Sequence, residues 1–123
     1  MLPVFLLSGF SIIAQSKDCQ PFHTGNFKVT TKETGTTLIH RENGMQVEEN
    51  EEMGAKMIFS VDWIDECTYE LRPTQVIKGD KAMLNKNFVI TVHITDIKSH
   101  SYVAESTGNF FEGIMRLKIE AIE

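Results

Sequence analysis

The stretch AKMIFSVDW, residues 55–63, decides the fold. Met57, Phe59, Val61 and Trp63 recur at every second position, and the positions between them are mostly polar. A period of two is the pattern of a β-strand with one buried face, because successive side chains of a strand point to opposite sides. We therefore predict a strand here and expect strands of the same kind on both sides of it.

The same alternation recurs along most of the chain. Asn43-Gly44 separates two alternating segments and indicates a two-residue hairpin turn. We expect Asp65 and Glu66 to form a turn after residues 55–63. We expect Pro73 either to end the next strand or to mark a sheet edge. The predicted strands cover residues 27–31, 36–41, 45–49, 55–63, 67–72, 88–97, 102–104 and 113–122. Residues 82–85 could form one helical turn, and no longer helical pattern is present.

These segments predict an all-β domain of antiparallel strands. Sequential pairing is the simplest topology, and sheet edges have to be closed or protected. A meander that curls into a small barrel or half-barrel, as in lipocalins, meets both conditions. A two-sheet β-sandwich is the alternative. Because the large residues Phe59, Trp63 and Tyr69 are directed inward, we expect side chains to fill the barrel.

Length and charge narrow the functional classes. The chain has 123 residues, which suffices for one domain. Its formal net charge of -5 repels a phosphate backbone, so we expect no nucleic-acid partner. The sequence has no Gly-x-Ser-x-Gly elbow, no zinc-type Cys/His spacing and no calcium-loop motif, so neither a metal nor a cofactor is predicted.

The first segment, MLPVFLLSGFSIIA, carries no charge and is too short to span a bilayer. It has the length of the apolar core of a secretory signal peptide, and Ala14 is a suitable small residue at the cleavage point. No basic residue precedes the apolar run, which departs from the usual pattern. We predict a signal segment over residues 1–14 and a single mature β domain over residues 15–123. The mature domain is expected to be periplasmic or extracellular and to have no membrane span once the signal segment is removed. A buried N-terminal strand is the alternative for this segment.

Cys19 and Cys67 are the only cysteines, so an exported chain has one possible pairing. The bridge would close a loop of about 49 residues. Two separate buried thiols are the alternative.

Two segments resemble a known family. CQPFHTGNFK (residues 19–28) and WIDECTYEL (residues 63–71) are similar to small exported all-β proteins of Bacteroidetes-type bacteria. In that family an early Cys precedes a Gly-x-Phe step, and a Trp-x-x-x-Cys-x-Tyr-x-Leu segment follows. The similarity covers about residues 15–123 and implies export, the fold and the Cys19–Cys67 disulfide; the family has no established activity. Some members are labelled DNA topoisomerase IV, which a short acidic chain without a phosphate-binding loop does not support.

Three residues are candidate ligand contacts. His93 lies between Thr91 and Thr95 on the polar face of a predicted strand, where it would line a pocket if that face pointed inward. An outward, solvent-facing position is the alternative. Phe110 and Phe111 are adjacent, so one of them is expected to be exposed, where it could contact a ligand or partner; a bulge that packs both rings inward is equally compatible.

The sequence contains two groups of acidic residues. Asp62, Asp65 or Glu66 could act beside His93 in the acid–base chemistry of a hydrolase. Residues 48–52 are acidic apart from Asn50, and we expect them to form a solvated hairpin tip.

The sequence thus predicts an exported, non-enzymatic binding or interaction module whose partner is a small ligand or an envelope protein. A small envelope hydrolase and a structural accessory domain of the cell envelope are the alternatives.

Overall fold

A computed structural model describes residues 18–122; the predicted signal segment lies outside this range. Eight strands follow one another: β1 (Gly25–Thr31), β2 (Gly35–Glu42), β3 (Met45–Asn50), β4 (Ala55–Asp65), β5 (Thr68–Lys78), β6 (Ile90–Ile97), β7 (Ser101–Gly108) and β8 (Phe111–Ile122). Two 3-10 helices accompany them, Gln20–Phe22 before β1 and Lys81–Asn85 between β5 and β6. The second includes the predicted helical turn.

The strands form a closed antiparallel barrel in which each strand pairs with the next and β8 returns to β1. This confirms the predicted meander and excludes the two-sheet alternative. Closure between β1 and β8 uses only three residue pairs, Asn26 with Ile122, Phe27 with Ala121 and Lys28 with Glu120.

The barrel has two different ends. Because the strands alternate in direction, the loops after β1, β3, β5 and β7 lie together at one end, which we call the mouth. The loops after β2, β4 and β6 lie at the other end, which we call the closed end.

The turn between β2 and β3 sets the register of the first hairpin. Asn43 has φ 52° and Gly44 has φ 74°, and positive φ at both central residues is what a type I′ turn requires. The predicted two-residue turn is therefore confirmed. It places Arg41 opposite Gln46 and Ile39 opposite Glu48.

Pro73 lies inside β5, opposite Phe59 of β4, rather than at the end of the strand. On its other side β5 pairs with β6 only from Thr68 to Leu71. Pro73 thus lies on a stretch with a free edge, where its missing N–H removes no ladder hydrogen bond. The expected sheet edge is confirmed, and the expected end of the strand is wrong.

A disulfide between Cys19 and Cys67 joins the segment before β1 to the turn between β4 and β5. The predicted pairing is confirmed, and two separate thiols are excluded. The bridge holds the first 3-10 helix across the closed end, where Phe22 is buried with its ring centroid 5.0 Å from that of Tyr102.

Aromatic rings complete the closed end. Trp63 and Tyr69 lie opposite each other on β4 and β5, with ring centroids 4.6 Å apart. The imidazole of His23 stacks on Trp63 at 3.5 Å, and its Nε2 is 2.8 Å from the carbonyl oxygen of Glu66. The segment that follows the first 3-10 helix is thereby fixed to β4 and to the turn after it.

Candidate functional site

Arg41 is the most deeply buried charge of the barrel, with 1% of its surface exposed. Its Nε donates to Oε1 of Gln46 at 2.7 Å, and Nη1 donates to the carbonyl oxygen of Phe22 at 2.7 Å. Nη2 donates to the hydroxyls of Tyr69 and Tyr102 at 3.0 and 3.1 Å. Protein acceptors therefore surround the guanidinium.

Aromatic faces also stabilise this cation. The guanidinium carbon of Arg41 lies 4.8 Å from the ring centroid of Phe27 and 4.6 Å from that of Tyr69, within the range of cation–π attraction. Burial raises the pKa of Tyr69 well above its usual value, so the hydroxyl keeps its proton. Burial alone would lower the pKa of Arg41, but the neighbouring tyrosine hydroxyls leave it raised, so the guanidinium stays charged.

Glu48 follows Gln46 on the inward face of β3. Because Oε1 of the Gln46 amide accepts from Arg41, its Nε2 is directed to Glu48 and donates to Oε2 at 2.7 Å. Burial raises the pKa of Glu48, while the Gln46 hydrogen bond and the charge of Arg41 partly oppose the rise. The protein thus holds a carboxylate inside the barrel, separated from the guanidinium by one amide.

The prediction of a solvated acidic tip over residues 48–52 is wrong for its first half. Glu48 and Asn50 face the interior and Glu49 faces outward, because all three belong to β3. Only Glu51 and Glu52 lie in the exposed turn. The hairpin register decides this, because residues opposite each other in an antiparallel pair point to the same face.

A cavity of about 830 Å³ extends from the mouth into the barrel. This volume lies within the range of small-molecule sites. The wall of the cavity is largely apolar. Its aliphatic side chains are those of Val29, Ile39, Leu71, Ile90, Val92, Leu117 and Ile119. The polar groups inside include those of Thr37, Gln46, Glu48, Tyr69 and Ser106.

The expectation of a filled barrel is therefore wrong for the mouth half. Phe59 and Tyr69 are buried and fill the closed half together with Phe22. Towards the mouth the inward positions carry smaller groups, among them Thr37 and Ser106. The interior is thus packed at one end and open at the other.

The cavity also reaches the gap between β1 and β8. Beyond Lys28 these two strands are no longer paired. Thr30 and Lys118, from the unpaired stretches, both line the cavity. The cavity therefore borders the stretch where β1 and β8 are unpaired.

Phe110 and Phe111 both lie at the mouth and line the cavity. Phe110 is 41% exposed, and its ring centroid lies 4.2 Å from that of Phe88 and 5.0 Å from that of Phe111. The rings of Phe110 and Phe111 meet edge to face. Aromatic side chains therefore border the entrance on the β7–β8 side.

His93 lies on the outer face of β6 and does not line the cavity. Its Nδ1 forms a 2.9 Å hydrogen bond with Oγ1 of Thr68. The polar face of β6 points outward, so His93 has the solvent-facing position that was the alternative to a pocket.

The acidic residues near Trp63 serve structural contacts on the outer surface. Asp65 accepts from the backbone N–H of Cys67 at 2.9 Å and also bonds Thr68; these bonds lower its pKa. Asp62 pairs with Arg72 at 3.5 Å. The charge of His93 also contributes to the lowered pKa of Asp65.

Sequence reasoning missed Arg41, Gln46 and Glu48. A usable signal was present: Ile39 and Arg41 share one face of β2, and a two-residue turn at Asn43-Gly44 fixes which β3 residues oppose them. If Ile39 is taken as inward, the register places all three missed residues in the interior.

Within residues 18–122, no group of three His, Cys, Asp or Glu side chains is arranged to hold a metal ion. No helix in the same range is long and apolar enough to cross a membrane. Comparisons with protein-family models, curated proteins and solved structures find no match to this chain.

Proposed function

We propose that this protein is an exported binding protein that holds a small, mostly apolar molecule in the barrel cavity. The cavity of about 830 Å³ carries the proposal, because its wall is largely apolar and a few polar groups lie inside. This combination is typical of small-molecule sites, in which apolar walls supply affinity and a few polar groups fix orientation.

The closed end supports the same function. The packed half and the disulfide-held 3-10 helix make a fixed base beneath the cavity. A cavity that is largely formed before binding lowers the entropic cost of taking up a ligand.

Export is supported by the disulfide, since disulfides persist in oxidising compartments and are rare in the cytosol. The apolar segment 1–14 and the resemblance to exported all-β proteins point the same way.

Two measurements test the proposal. Native mass spectrometry of the protein purified from its own envelope should show a bound small molecule that is lost on denaturation. A fluorescence titration with N-phenyl-1-naphthylamine, a neutral apolar probe, should show saturable binding to protein that has been stripped of its ligand.

A matched pair of variants locates the binding. Ser106 is buried and lines the cavity, whereas its neighbour Thr107 is exposed. We expect Ser106→Phe to weaken probe binding by about tenfold or more and Thr107→Phe to leave it unchanged. Circular dichroism confirms that both variants fold. If folded Ser106→Phe binds the probe like the wild type, or if no probe and no retained molecule is found, the proposal is wrong.

A further inference from the structure

The charges that border the cavity are unevenly placed. Glu33, Arg116 and Lys118 lie at its rim and are exposed. Arg116 is bound to Glu105 at 2.6 Å on the outer face. Among residues 18–122, Glu48 is the acidic side chain that lines the cavity away from the rim.

The buried cation is not available to a ligand. Arg41 does not line the cavity, and its Nε and both terminal nitrogens donate to protein acceptors. The rings of Phe27 and Tyr69 lie against the guanidinium. A ligand in the cavity therefore meets the neutral side of this arrangement, Gln46 and Tyr69, and not the positive charge itself.

Glu48 keeps acceptor capacity towards the cavity. The described structure gives its carboxylate one hydrogen bond, from Gln46 to Oε2. An ionised carboxylate can accept about four, two at each oxygen. A carboxylate that is partly withdrawn from water is stabilised by a cation or a hydrogen-bond donor beside it.

We propose that the cavity selects amphipathic molecules whose polar end is a cation, above all a protonated amine, which the carboxylate of Glu48 binds. This inference rests on the proposed function. An ammonium group supplies both the positive charge and the N–H donors that Glu48 lacks on its cavity side. A molecule with a carboxylate head would bring a second negative charge beside Glu48, and the reduced dielectric of the interior would strengthen the repulsion. The aliphatic wall would hold the apolar tail in either case.

The test compares three molecules with one tail and different heads: decylamine, 1-decanol and decanoic acid. Each competes with N-phenyl-1-naphthylamine for the wild-type protein at neutral pH. We expect decylamine to bind about tenfold or more tightly than 1-decanol, as a charge-assisted hydrogen bond predicts, and decanoic acid to bind most weakly.

Two variants on β3 test whether Glu48 causes the preference for the amine. Glu48→Gln keeps the shape and removes the charge, and should bring the affinity for decylamine to within about threefold of that for 1-decanol. Glu49→Gln removes a carboxylate from the next residue, which faces outward towards Lys56 and Lys78, and should keep the wild-type order.

The outcomes separate this inference from the proposed function. If 1-decanol binds and decylamine shows no preference over it, or if Glu48→Gln retains the preference, the inference is wrong and the proposed function stands. If none of the three molecules displaces the probe and the probe itself does not bind, both are wrong.

Discussion

The side chains of Arg41 and Glu48 are joined through one amide group, that of Gln46. Nε of Arg41 donates to Oε1 of Gln46, and Nε2 of the same amide donates to Oε2 of Glu48, each at 2.7 Å. The amide therefore has one favourable orientation, since turning it over would place its donors against the guanidinium and its oxygen against the carboxylate. The side chains of Arg41, Gln46 and Glu48 thus form one continuous hydrogen-bonded chain.

Replacing Arg41 by lysine should strongly destabilise the fold. Lysine lacks the planar arrangement of donors that reaches Gln46, Phe22 and both tyrosine hydroxyls at once. We expect Arg41→Lys to lower the free energy of unfolding by about 3 kcal/mol or more, measured by urea denaturation. Arg72→Lys, at an exposed position, is the control and should change it by less than about 0.5 kcal/mol. Equal effects would refute a structural role for the buried guanidinium.

Stability should depend on pH through Glu48. Burial raises the pKa of Glu48 above its ordinary value of 4.5, so the folded protein holds this proton more tightly than the unfolded chain does. The contribution of Glu48 to the free energy of unfolding is therefore greatest below pH 4.5. It decreases as the pH rises through the folded-state pKa and does not recover at higher pH. The free energy of unfolding of Glu48→Gln minus that of the wild type should increase as the pH rises from 4.5. Glu49→Gln controls for loss of a carboxylate on this strand; a flat or falling difference for Glu48→Gln would contradict the burial of its charge.

Loss of the disulfide should cost much of the stability of this domain. The bridge spans a sequence separation of 48, for which the chain-entropy model gives about 4 kcal/mol. The Cys19→Ser, Cys67→Ser double variant should unfold at a correspondingly lower urea concentration than the wild type under non-reducing conditions. With reductant present, the two proteins should unfold at similar concentrations. A wild type that is insensitive to reductant and no more stable than the variant would show that the bridge contributes nothing.

The aromatic residues at the mouth should matter for binding, and His93 should not. Phe110 lines the cavity and packs on Phe88, whereas His93 lies on the outer face. We expect Phe110→Ala to weaken the binding of N-phenyl-1-naphthylamine several-fold and His93→Ala to leave it unchanged. Fluorescence titration of both variants measures this. The reverse order would place the site on the outer face of β6.

Most of the fold could be predicted because the strand pattern depends on local sequence. The alternation from Met57 to Trp63 and the Asn43-Gly44 turn each specify backbone geometry within a few residues. The Cys19–Cys67 pairing could be predicted for a different reason, because two cysteines allow only one bridge.

The candidate site could be predicted only in part, because its charged residues oppose the usual pattern. β3 directs Gln46, Glu48 and Asn50 inward, so the rule that polar residues face water gives the wrong face for this strand. The buried polar contacts compensate for this: Arg41 needs an acceptor at the position where Gln46 lies. The open cavity was missed because the size of the inward residues at the mouth matters only once the shape of the barrel is known.

The disulfide holds the N-terminal end of the described domain at the closed end of the barrel, which determines how the protein can be immobilised. Cys19 is bound to Cys67 at the closed end, and Ile122 pairs with Asn26 at the same end. A tag, bead or fused reporter joined at either terminus of the described domain is therefore held on the side away from the mouth. Immobilised in this way, the barrel presents its opening to the solution, which makes it a suitable receptor for a surface-bound sensor.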